Sequence, residues 1–119
     1  MGQAVRFQEI LRRLAIIDEG AVEQHAGLGL GLPGARVLDD RTAELVRVAA
    51  LAATGASEAC LQWSVTRALA AGATEDEITG VLLAIAPVAG LGRVVSAVPG
   101  LANGLGYDIE TALMETDDP

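Results

Sequence analysis

Four side chains able to do chemistry recur at helical spacing in one stretch of this chain. Ser57, Cys60, Ser64 and Arg67 are separated by three, four and three residues, so on an α-helix they share one face. Trp63 lies beside that face. Glu44 and Arg47 stand on the preceding segment, which an antiparallel helical hairpin would bring alongside. Together these residues offer a thiol, hydroxyls, an acid and guanidiniums around a small pocket. In such a pocket Cys60, Glu44 and Ser64 are the catalytic candidates, and Arg47, Arg67, Trp63 and Ser57 are the candidates for holding a substrate.

Each of these residues also has a plainer reading. Cys60 is either a reactive thiol, favoured by a helix N-terminus and neighbouring arginines, or a small buried hydrophobe, the usual state of a free cysteine. The absence of a second cysteine and of a histidine nearby favours the buried reading. Ser64 as a nucleophile needs a base, and none stands close in sequence; a hydroxyl bonded to its own helix is the simpler expectation. His25 is the sole histidine. It is either a general base brought from another helix or subunit or polar surface beside a glycine-rich loop. One histidine and one cysteine do not make a zinc-type metal site. Trp63 is read as a core or interface anchor before a substrate platform.

The helices that must position these groups are legible from spacing and caps. Val5, Ile10, Leu11, Leu14 and Ile17 predict a helix over residues 3–18, with a shorter one over 21–26. The run from Gly27 to Gly34, GLGLGLPG, ends any helix there. Its glycines lack the preceding strand that a dinucleotide-binding loop requires. Asp39 or Asp40 caps a helix through Thr54, and Ser57 caps the next, which stops at Gly72. Thr74 and Glu77 form a capping box for the helix that follows. A last helix is expected over 91–105, strained or broken at Pro99–Gly100. No segment alternates like a strand, so the fold class expected is all-α, a helical bundle of five to seven helices in one domain over residues 1–119.

Composition narrows the function classes. The net charge of −8 disfavours binding to nucleic acid or to an anionic membrane, both of which need clustered Lys and Arg. The start of the chain, MGQAVRFQE, has no apolar signal core. The longest uncharged stretch, between Glu77 and Arg93, is too short for a membrane span, and a cytoplasmic location is expected. Half of the residues are hydrophobic, mostly Ala, Leu and Val. A small domain this apolar is expected to cover part of its surface with copies of itself, the alternative being an alanine-rich monomer.

The residues Leu38-Asp39, Glu44-Leu45-Val46, Leu51-Ala52-Ala53, Cys60-Leu61, Ala68-Leu69, Gly72-Ala73-Thr74, Glu77-Ile78 and Gly90 carry a resemblance to a known family. From about Leu38 to Ala97 the chain resembles the carboxymuconolactone decarboxylase family, which includes the alkylhydroperoxidase D-like proteins. The resemblance implies an all-helical fold assembling as a homotrimer or homohexamer, with sites near subunit contacts and no cofactor. Peroxidase members use a Cys-x-x-Cys dithiol followed by His, with an upstream Glu as proton relay. Here the first thiol position is Ser57, the second Cys60 and the His position Ser64. Glu44 is the candidate relay acid, one residue further from the motif than usual. Decarboxylase members need the same His and often show Tyr-x-Gly-x-Pro, where this chain has Val88-Ala89-Gly90-Leu91-Gly92. Without the resolving thiol a dithiol cycle cannot close within one chain.

Three functions follow from this pattern. One is a divergent enzyme acting on a small organic acid, lactone or peroxide. Another is a non-catalytic oligomeric binding or accessory protein. The third is a one-cysteine, thiol-dependent peroxidase working through Cys60. Arg47 and Arg67 suit a carboxylate substrate in the first two, because a guanidinium binds a carboxylate bidentately.

Overall fold

Helix stops set the frame. The N–H groups of Gly55 and Ala56 return to the carbonyls of Ala52 and Leu51, the paired bonds of a Schellman stop. The same pair recurs at Gly72 and Ala73, and again at Gly106 and Tyr107. The computed structural model describes residues 2–16 and 37–116, and the chain divides into two compact units, Met1–Asp39 and Asp40–Pro119. All the structure described is helical or connecting, and no strand occurs among the described residues.

The first unit contains α1 (Gly2–Ile16). Arg12 pairs with Glu9 one turn earlier at 2.8 Å, while Phe7, Leu11 and Leu14 are exposed. The helix expected over residues 21–26, which contains His25, and the loop expected over 27–34 lie outside the described residues, as do the last three residues.

The second unit contains α2 (Asp40–Thr54), α3 (Glu58–Ala70), α4 (Glu75–Ala89), α5 (Leu91–Leu105) and α6 (Ile109–Thr116). Ser57 caps α3 as its sequence predicts, its Oγ accepting from the N–H of Cys60 at 3.2 Å. The capping box of α4 is complete: Thr74 Oγ1 accepts from the N–H of Glu77 at 3.0 Å, and Glu77 accepts from the N–H of Thr74 at 2.9 Å. A single residue, Gly90 with φ of 94°, separates α4 from α5. That backbone angle is open to glycine and strained for other residues.

Helix α6 was not expected from hydrophobic spacing. Asp108 creates it, accepting from the N–H and the hydroxyl of Thr111 at 3.1 and 2.7 Å.

Helices α2 to α5 enclose a core of small aliphatics that includes Val48, Ala52, Leu61, Val65, Ile78, Leu82 and Leu101. The three aromatic residues of the chain, Phe7, Trp63 and Tyr107, are all more than half exposed. Close backbone approach replaces the missing aromatic bulk. A Cβ placed on Gly100 would lie 2.8 Å from both the Glu58 carbonyl and Leu61 Cβ, and one on Gly104 would lie 2.7 Å from Val65 Cβ. The same pairs show that α3 and α5 run parallel in register, Leu61 against Gly100 and Val65 against Gly104.

That contact corrects one expectation. Helix α5 is continuous through Pro99–Gly100, because Gly100 seats against α3 while Pro99 faces outward. No described helix is long and apolar enough to cross a membrane.

Candidate functional site

The residues that position the site belong to α2 and α3, which lie antiparallel. On α2, Glu44, Val48 and Ala52 fall four residues apart, so the stripe that enters the core begins with a carboxylate. Glu44 is 6% exposed. A carboxylate this deep needs donors, and two arginines supply them. Arg47, one turn along α2, places Nη1 at 3.0 Å from Glu44 Oε2. Arg67, near the end of α3, reaches the same oxygen with Nε at 3.3 Å and Nη2 at 3.1 Å. The approach foreseen for an antiparallel hairpin is therefore made.

Both arginine side chains stay at least half exposed, at 62% for Arg47 and 50% for Arg67. Two guanidiniums on one carboxylate leave one positive charge over, facing solvent on a chain of net charge −8. The Arg67 guanidinium also lies 4.9 Å from the centroid of the Trp63 ring, within cation–π range. Trp63 is 61% exposed. Of the core-or-interface reading of Trp63, the core half is corrected: within one chain the indole is a surface group lying against Arg67.

The remaining candidates are separated by burial. Ser64 is 2% exposed, on the inward face of α3 with Leu61, Val65 and Ala68. Cys60 is exposed, so its reading as a buried hydrophobe is corrected too. The reason is angular: the inward stripe of α3 is Leu61, Ser64, Val65 and Ala68, and Cys60 stands at its edge, in line with half-exposed Arg67. Arg67 is seven residues further on, about 10 Å along the helix axis. Ser57 is committed to its cap. His25 lies outside the described residues. The face shared by Ser57, Cys60, Ser64 and Arg67 thus runs from surface to core and back, and the cluster that forms is Glu44, Arg47, Arg67 and Trp63.

Two open clefts of about 500 Å³ each flank Tyr107, and neither contains those four residues. One is polar, with Glu58, Asn103, Asp108 and Glu110 on its walls; Asn103 Nδ2 donates to Glu58 at 3.2 Å across it. The other is apolar, walled by Leu82, Val98, Leu101, Leu105 and Ile109. Sequence reasoning missed both. The glycine stop at Gly106 followed by Asp108 was the one signal that the chain turns there and encloses space.

The model of the carboxymuconolactone decarboxylase family matches residues 8–102. The chain belongs to that family. No curated protein and no solved structure matches it. Membership of the carboxymuconolactone decarboxylase family accounts for the all-helical fold, and the matched span includes every candidate residue discussed above.

Proposed function

We propose that this member of the family takes a small organic acid at the surface formed by Arg47, Arg67 and Trp63. The observation that carries this reading is the convergence of two half-exposed guanidiniums on the single buried carboxylate of Glu44. Glu44 fixes both cations in place, so little side-chain entropy remains to be lost when an anion arrives. The outward N–H groups offer a carboxylate charge-assisted hydrogen bonds. The exposed indole next to them gives the apolar part of the ligand a flat surface. In this reading Glu44 acts by positioning the arginines, and the site binds its acid without the family's dithiol chemistry, since Ser57 is a helix cap and Ser64 is buried.

Trp63 is the sole tryptophan, so its indole N–H gives one resonance in a nitrogen-edited NMR spectrum. Titration with benzoate should move that resonance saturably, methyl benzoate should leave it in place, and R67M should weaken the benzoate effect at least tenfold. Equal responses to the acid and its ester, or an unchanged response in R67M, would defeat the proposal.

A second reading rests on the exposure of Cys60. Its thiolate attacks a hydroperoxide, the O–O bond breaks as an S–O bond forms, and an alcohol leaves with a proton. Two equivalents of an external thiol then restore the cysteine, yielding a disulfide and water. Peroxide consumption with dithiothreitol that survives C60S would remove this reading.

A further inference from the structure

The chain has no lysine, and the arginines of its second unit are Arg41, Arg47, Arg67 and Arg93. Their charges are not equally available. Arg41, one turn before Glu44 on α2, pairs with Glu77 of α4. Arg93, at the start of α5, lies against Gly55, where a Cβ would meet its guanidinium. That places it beyond the other end of α2, about 16 Å along the helix axis from Glu44. Among the described residues of this unit, only Arg47 and Arg67 pair with Glu44. The acid-binding surface therefore holds two cations and one anion, an excess of one positive charge.

The hydrogen bonds divide the work between the two guanidiniums. Arg67 turns the edge formed by Nε and Nη2 onto Glu44 Oε2, at 3.3 and 3.1 Å. It also lies over the Trp63 ring. Arg47 commits Nη1 alone, at 3.0 Å, and keeps its Nε–Nη2 edge, the fork that matches a carboxylate. One carboxylate of a ligand is thus gripped by Arg47, with the surplus charge beside it. A second carboxylate on the same ligand meets different surroundings. The ligand body lies against the indole, whose ring face is the negative part of its quadrupole. The field of a chain of net charge −8 repels a further anion.

We propose that this surface selects monocarboxylates over dicarboxylates, and that Glu44 sets the selection by cancelling one of the two guanidiniums. The proposal rests on the acid-binding reading and narrows it to one charge class. Arg47 holds the carboxylate through its free fork, and no described residue compensates a second negative charge.

Terephthalate and 4-methylbenzoate share a ring and differ by one carboxylate, so titrating each against the Trp63 indole resonance of the full chain, at one low ionic strength, tests the proposal. The wild type should bind 4-methylbenzoate at least as tightly as terephthalate. E44Q adds one unit of positive charge, and its terephthalate-to-methylbenzoate affinity ratio should exceed that of wild type by at least about threefold, the scale of one charge near a protein surface. The ratio is taken within one protein, so arginines loosened in E44Q weaken both ligands and leave it readable. R47K keeps the charge and loses the fork; it should weaken both ligands and leave the ratio unchanged. Preference for terephthalate in the wild type, an unaltered ratio in E44Q, or undiminished affinity in R47K would overturn the proposal and leave the acid-binding reading standing. A resonance unmoved by 4-methylbenzoate would overturn both.

Discussion

Replacing glycine by alanine should have opposite signs at different positions of the same helix, α5. In a helix interior alanine is favoured over glycine by about 1 kcal/mol. At Gly104 the new Cβ would stand 2.7 Å from Val65 Cβ and 2.8 Å from its Cγ1, against an ordinary carbon–carbon separation of about 3.5–4.0 Å. At Gly100 it would meet the Glu58 carbonyl at 2.8 Å and the Glu58 Cα at 3.2 Å. Those are backbone atoms that cannot turn aside, so α5 must move away from α3. Overpacking of this kind costs about 1–3 kcal/mol, which exceeds the propensity gain. We expect G100A to lose about 1–2 kcal/mol and G104A a similar or smaller amount, since the Val65 side chain can shift. Gly92 has nothing within 4 Å, and G92A should gain about 0.4–1 kcal/mol.

Urea denaturation at a single protein concentration, followed by far-UV circular dichroism, reads all three variants. With a slope of about 1–3 kcal/mol/M for a small domain, G100A should lower the midpoint by up to about 1 M and G92A should raise it. Because α3 carries Arg67, G100A should also disturb the Trp63 indole resonance. Midpoints for G100A and G104A at or above wild type, with the slope unchanged, would refute the parallel close packing of α3 and α5.

Three further outcomes are expected. E44Q leaves two half-exposed guanidiniums that water can solvate and should cost about 1 kcal/mol. R47M/R67M leaves a carboxylate that is 6% exposed without a counter-charge and should cost up to about 3–5 kcal/mol; equal losses in urea denaturation would show that Glu44 reaches solvent. Glu77 has its carboxyl held below the usual range, first by the backbone N–H of Thr74 and also by Arg41. Its stabilisation is therefore complete above the unfolded carboxylate range and lost as pH falls through and below it. Thermal melts of wild type and E77Q should converge as pH falls from neutral through and below the usual carboxylate range, and a constant gap would contradict this. Cys60 is exposed, so native protein should take up one equivalent of Ellman's reagent without denaturant; labelling only after unfolding would contradict the placement.

Much of the fold is written locally. Caps and stops act over three to six residues, so Ser57, Thr74 with Glu77, Gly72 and Gly106 mark helix ends whatever surrounds them. The start of α2 near Asp40, both ends of α3 and the start of α4 followed from such signals. Helix α6 escaped because its stripe is short and its one clear marker is the Asp108–Thr111 pair. Pro99–Gly100 misled because a helix-breaking pair was weighed by itself, without the packing of Gly100 on α3.

The sequence by itself determined the family, the helical class and the identity of the charged groups, since each rests on residue types and short-range spacing. Only the tertiary structure decided which of those groups meet. Spacing placed Cys60, Ser64 and Arg67 on one face, yet a face says nothing of depth. The crossing of α2 and α3 leaves Cys60 outside, sends Ser64 into the core and brings Arg67 to Glu44. Depth depends on what the neighbouring helices cover, and α5, which packs against α3 through Gly100 and Gly104, lies two helices further along the chain.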